Sequence, residues 1–86
     1  MKKQVYIVDD HPLVVDALQN LISQSEDLEC IGSSDNIDKA FSEIENLKPA
    51  LVLVDIQLKQ NQSGLQLLKK LRSAFPEIAV IIISML

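Results

Sequence analysis

The sequence has no tryptophan, one tyrosine and two phenylalanines. So few aromatics leave no interleaved surface on which nucleotide bases could stack. Cations are also scarce: eight Lys and Arg stand against twelve Asp and Glu, a formal net charge of −4. The adjacent basic pairs are Lys2-Lys3 and Lys69-Lys70, which read as solvated surface. A nucleic-acid surface needs clustered Lys and Arg, so DNA binding by this stretch of chain itself is not expected. Cys30 is the single cysteine, which excludes an internal disulfide. A lone Cys in an apolar strand is usually a small buried hydrophobe, and this one fits a reducing cytosol. Long apolar runs are missing too. Val5 to Val8, after the basic start, is too short for a signal-peptide core and is stopped by Asp9. Ile78 to Leu86 is too short to span a bilayer, so no membrane contact is expected. With two glycines and three prolines there is no low-complexity linker, and no internal repeat is visible.

What remains is a single-domain length of 86 residues, 48% apolar, with Leu, Ile and Val dominating. That composition suits a sheet covered by helices. The central stretch is Ala50 to Gln57, ALVLVDIQ, in which an unbroken apolar run ends abruptly in Asp55. Such a run reads as a strand buried on both faces of a parallel sheet. Val5 to Val8 is a first strand, ending in Asp9, Asp10 and His11. Pro12 suits a first helical position. A first helix is expected from Pro12 to Gln24, with Val14, Ala17, Leu18, Leu21 and Ile22 on its apolar face. Asp10 is a candidate to help cap it. Leu28 to Ile31 is a weaker second strand, ended by Gly32. A second helix carries Ile37, Ala40, Phe41, Ile44 and Leu47 on one face and ends before Pro49. Lys59 to Gln62 reads as a polar loop. Ser63 and Gln66 have capping-box spacing, opening a third helix with Leu67, Leu68, Leu71 and Phe75 inward. Ile78 to Ser84 is the last strand. Strict alternation of strand and helix predicts an α/β fold with a parallel sheet and right-handed crossovers.

Asp9 and Asp10 end the first strand and Asp55 ends the third, the carboxyl edge where open α/β sheets place ligands. If these strands are neighbours they lie about 4.8 Å apart. Three carboxylates that close call for a proton or a cation. A hard divalent ion such as Mg²⁺ fits, because it prefers oxygen ligands and is held by one or two carboxylates plus a phosphate. The competing reading makes these acids solvated loop residues or helix caps. A flavin-phosphate site is disfavoured, because Asp-Asp-His-Pro after the first strand repels phosphate where a Gly/Ser/Thr loop would cradle it. A phosphatase of the haloacid dehalogenase type needs Asp-x-Asp, and Asp55-Ile56-Gln57 lacks the second acid. A hydrolase triad lacks its Gly-x-Ser-x-Gly elbow, and His11 reads as the start of the first helix.

These stretches resemble the receiver domains of two-component response regulators. VYIVDDHPLVVDAL, Val5 to Leu18, looks like the start of NarL/LuxR-type receivers; KPALVLVDIQL, Lys48 to Leu58, like their phosphoacceptor strand; VIIISM, Val80 to Met85, like the strand ending in the switch hydroxyl. The resemblance implies a flavodoxin-like (CheY-like) doubly wound sheet with strand order 2-1-3-4. It implies that Asp55 accepts phosphate from a histidine kinase in a Mg²⁺-dependent step. Asp10 would then bind Mg²⁺ directly and Asp9 mostly through water, with Asp55 and the backbone carbonyl of Gln57 completing the protein ligands. Ser84 would be the switch hydroxyl. It implies a cytoplasmic, non-enzymatic signalling domain controlling a transcriptional output. Two departures bear on the loop after the acceptor: Lys59 stands where relatives usually carry Pro, and Gly64 follows Asp55 one residue later than usual.

A full receiver has five strands and five helices, whereas residues 1–86 reach only the fourth strand. The chain is therefore expected to be the N-terminal part of a receiver within a longer regulator. Its DNA contacts would be made only through an output domain outside this sequence. An uncovered last strand is a pairing template, so self-association or a covering segment is expected there. The alternative function is a receiver-derived interaction or dimerisation module without phosphotransfer.

Overall fold

The computed structural model describes residues 2–58 and 63–83. In chain order these form β1 (Lys3–Val8), α1 (Pro12–Ser23), β2 (Leu28–Ser34), α2 (Ile37–Leu47), β3 (Leu51–Asp55), α3 (Gly64–Ala74) and β4 (Ala79–Ile83). All strand pairings are parallel, in the order β2-β1-β3-β4. This is the α/β architecture and the strand order expected. The polar stretch Lys59 to Gln62 and the end of the last strand at Ser84 fall outside the described residues.

Side chains alternate between the two faces of the sheet, and that alternation sorts the core. Tyr6, Val8, Val52 and Val54 face α2 and α3, where they pack with Ile37, Ala40, Ile44, Leu67 and Leu71. Val5 and Ile7 face α1 and meet Ile22, with Leu51 and Leu53 packed alongside. Fully burying a Leu such as Leu67 or Leu71 stabilises by roughly 1.5–3 kcal/mol. On the α1 face, Leu51 and Leu53 stay half-buried and Ile81 is 50% exposed.

Several local expectations shift. β2 runs through Gly32 to Ser34 rather than ending at Ile31. Gly32 is a packing position: a Cβ there would meet the Tyr6 ring at 3.0 Å. The β1–β2 register slips between Val5 and Tyr6, so Val5 pairs with Cys30 and Tyr6 with Gly32. Leu18 and Ile22 face the sheet as expected, joined by Val15; Ile22 is buried and the other two are half-buried, while Ala17 is exposed and Leu21 is 65% exposed. Leu47 at the end of α2 is likewise exposed. Lys48 closes α2 in the left-handed region, with φ 48°, and Pro49 prevents continuation. Asn36 caps α2 by accepting from the Lys39 N–H at 2.8 Å. The Ser63 hydroxyl accepts from the Leu65 N–H at 3.1 Å and caps α3.

Candidate functional site

β1 and β3 are neighbours with Val8 opposite Val54, so Asp9 and Asp55 emerge side by side at the carboxyl edge. Asp9 is anchored there by its own N–H, which donates to the Ser34 carbonyl at 3.0 Å. Asp9 and Asp55 are each only 3% exposed. Asp10 follows in the bend before α1, with its side chain 9% exposed. One carboxylate oxygen from each of the three, and one nitrogen of His11, all lie within 4.8 Å of one another. The Asp triad expected from the sequence is therefore assembled.

His11 is the addition. It is the N-cap residue of α1, yet its side chain makes no cap bond. The ring turns back over the acids instead. Nδ1 lies 2.8 Å from Asp9 Oδ1, 3.0 Å from Asp10 Oδ1 and 3.3 Å from Asp55 Oδ2. The His11 N–H also donates to Asp9 Oδ1 at 2.8 Å. The Nδ1 hydrogen bond to Asp9 raises the imidazole above its ordinary value; partial burial opposes this, and the charges of Asp10, Asp9 and Asp55 reinforce it. Asp10 does not serve as the α1 cap, since that position is His11. The sequence signal for His11 was its adjacency to two strand-end acids. Nothing in the periodicity told which way the ring would turn.

Asp55 is held at both ends of its peptide. The Gln57 N–H donates to Asp55 Oδ1 at 3.2 Å, closing a turn over the carboxylate. The Ile56 N–H donates to the Ile83 carbonyl at 3.0 Å, and the Gly64 N–H donates to the Ile56 carbonyl at 2.9 Å. Gln57 thus sits beside Asp55, bridged to Ser63. Ile83, the partner of Asp55 across the sheet, is the last residue of β4. Ser84 follows it in sequence and lies outside the described residues.

The donor set fits a divalent cation. Asp9 Oδ2, Asp10 Oδ1 and Asp55 Oδ2 are buried oxygens that make no hydrogen bond among the described residues, the last two having only the ion-pair contact to His11 Nδ1. Orphaned buried carboxylate oxygens are costly unless a cation satisfies them. An open cleft of about 450 Å³ beside α1 reaches Asp9 and Asp10, and Asp16, Asp35 and Lys39 are among its other lining residues.

Three comparisons place this geometry among known proteins. The family profile described as response regulator receiver domain matches residues 5–86. Among curated proteins, the oxygen regulatory protein NreC of Staphylococcus haemolyticus is 26% identical over 82 residues, which cover 95% of this chain and 38% of NreC. The chain thus spans well under half the length of that relative. Among solved structures, the response regulator PhyR from Brucella abortus is 28% identical with a TM-score of 0.83, over 95% of this chain and 33% of that one. A LuxR-family two-component response regulator from Aurantimonas sp. superposes with a TM-score of 0.91 at 20% identity, over all of this chain and 61% of that one. At that identity the likeness speaks for the fold alone.

Proposed function

The chain belongs to the response regulator receiver domain family, and from that premise we propose that Asp55 is a phosphoacceptor loaded by a histidine kinase. The observation that carries the proposal is Asp55 itself, 3% exposed, with an Oδ2 that makes no hydrogen bond, beside Asp9 and Asp10 at the carboxyl edge. In the proposed step a carboxylate oxygen of Asp55 attacks the phosphorus of a phosphohistidine. The P–N bond breaks as the new P–O bond forms, the donor imidazole keeps the electron pair and takes up a proton, and Asp55 is left as an acyl phosphate.

Asp9, Asp10, Asp55 and the Gln57 carbonyl are the proposed Mg²⁺ ligands. Bound Mg²⁺ would offset the negative charge that otherwise repels an incoming phosphoryl group. The chain's own contribution is positional. β1 and β3 fix the acids side by side, and the Gln57 N–H orients the Asp55 carboxylate. Ser84 is proposed as the hydroxyl that reads the phosphoryl group. The proposed setting is cytoplasmic, with transcriptional output through a DNA-binding domain elsewhere in a longer regulator. Among the described residues no helix is long and apolar enough to cross a membrane.

The test is phosphoryl uptake from a small phosphodonor in the presence of Mg²⁺, with Asp55→Asn as control. Hydroxylamine-sensitive incorporation that vanishes in the variant is the expected result. Equal incorporation in both would overturn the assignment of Asp55. No incorporation with the donor or with any kinase tried would favour the interaction-module reading.

A further inference from the structure

We infer that His11 Nδ1 is itself a metal ligand, which makes the Asp9–Asp10–Asp55 cluster a mixed nitrogen and oxygen site able to hold transition divalent ions such as Mn²⁺, Ni²⁺ or Zn²⁺. The inference deepens the cation part of the receiver reading and rests on it, but it does not require phosphotransfer.

The argument begins with distances. Metal–ligand bonds of about 2.1 Å put cis neighbours of an octahedral ion about 3.0 Å apart. Nδ1 stands 2.8, 3.0 and 3.3 Å from one oxygen on each of the three acids. Those are cis-ligand separations, so Nδ1 is placed as one vertex of a shell whose other protein vertices are the three carboxylates. A second observation is the burial of the carboxylate oxygens: Asp55 is 3% exposed, and its Oδ2, which makes no hydrogen bond among the described residues and has only the 3.3 Å ion-pair contact to Nδ1, is aimed into this shell. The imidazole is not needed elsewhere. It makes no cap bond to α1, and its side chain is 56% exposed, so it retains freedom to adjust to an ion.

The chemistry then separates ion classes. Mg²⁺ prefers oxygen and keeps its waters, so it gains little from an imidazole. Imidazole suits Ni²⁺, Zn²⁺ and their neighbours, whose affinities rise along the first transition row. An ion bound through Nδ1 needs that nitrogen unprotonated, so any proton it carries leaves to solvent on binding.

The test is direct binding, read without any phosphodonor. The protein and its His11→Ala variant are titrated calorimetrically with Ni²⁺, Zn²⁺ and Mg²⁺. Pulsed EPR of the Mn²⁺-loaded protein then looks for nitrogen coupling. Losing a direct ligand should cost at least as much as losing an outer-shell partner, so Ni²⁺ and Zn²⁺ affinity should fall on the order of tenfold or more in the variant. Mg²⁺ binding should be retained in the variant, because the oxygen ligands remain, and it also reports that the variant is folded. Nitrogen coupling should appear in the wild-type protein. Unchanged or tighter Ni²⁺ binding in the variant, or Mn²⁺ bound without nitrogen coupling, would overturn His11 as a ligand while leaving the acid site standing. Failure of every divalent ion to bind would overturn the acid site as well.

Discussion

Gly64, the first residue of α3, lies directly against the main chain of Asp55: a Cβ at position 64 would stand 2.2 Å from the Asp55 carbonyl oxygen and 2.8 Å from Val54 Cγ1. The φ of Gly64 is not in the left-handed region, so the requirement is for space rather than for a special backbone angle. Through this contact and the Gly64 N–H to Ile56 bond, the start of α3 fixes the end of β3, and with it the height of the Asp55 carboxylate.

Gly64→Ala must therefore push α3 off β3 or tilt the Asp55 peptide. Backbone is the listener here, not a flexible side-chain tip, so relief is expensive. The expected cost is about 2 kcal/mol or more, at the upper part of the range for overpacking. Denaturant unfolding measures the loss. Phosphoryl uptake at Asp55 should fall even at temperatures where the variant remains folded.

Asp55→Asn removes one of three crowded negative charges and keeps the shape of the side chain. Like charges this close repel, and among the described residues the ion pairs to these three acids come from His11 alone. In divalent-free buffer the variant should be more stable than the parent by on the order of 1 kcal/mol. Saturating Mg²⁺ should shrink or reverse the difference, because the ion stabilises the parent by binding its folded state. Thermal unfolding with and without Mg²⁺ reads both effects.

Tyr6 is the single tyrosine, so its ionisation is visible without interference. Burial raises its pKa well above the ordinary 10, and the hydrogen bond to Glu43, with that carboxylate's charge, raises it further. A folded-state pKa above the unfolded value gives stability that is present below about pH 10 and lost as pH climbs toward the folded value. Tyrosinate absorbance should therefore appear only on alkaline unfolding, in step with loss of helical circular dichroism. Tyr6→Phe should weaken that alkaline transition. A tyrosinate signal that rises near pH 10 in a fully folded protein would show that Tyr6 is not sealed in the core.

Ile81 is 50% exposed on β4, which among the described residues pairs only with β3. It continues the α1-face row begun by Leu51 and Leu53 and presents an apolar, hydrogen-bonding edge. The protein should self-associate at micromolar concentration, and Ile81→Lys should shift sedimentation toward the monomer. A stable parent monomer under the same conditions would contradict this.

The sequence carried the alternation of elements because β1, β3 and β4 are short runs rich in β-branched residues and α2 and α3 stop before Pro49 and Pro76. It also carried the site's acids, because Asp9, Asp10 and Asp55 interrupt apolar runs at strand ends. Other features were not legible, for stated physical reasons. Gly32 reads as a terminator by propensity, but tertiary packing against Tyr6 keeps it inside β2. The edges of the α1 stripe are ambiguous in sequence because apolar residues are adjacent there, Val14 with Val15 and Leu21 with Ile22; packing on Val5 and Ile7 selects Val15 and Ile22. The inward turn of His11 is a rotamer choice made by three acids from two strand ends, which no local pattern encodes.

The most direct measurement of the account is chemical mapping of the acyl phosphate. The protein, loaded with phosphoryl groups in the presence of Mg²⁺, is reduced with borohydride, which converts a phosphorylated aspartate to homoserine, and its peptides are sequenced by mass spectrometry. Homoserine at position 55, with Asp9 and Asp10 unchanged, is the predicted result. Homoserine at another aspartate, with position 55 still Asp, would contradict it.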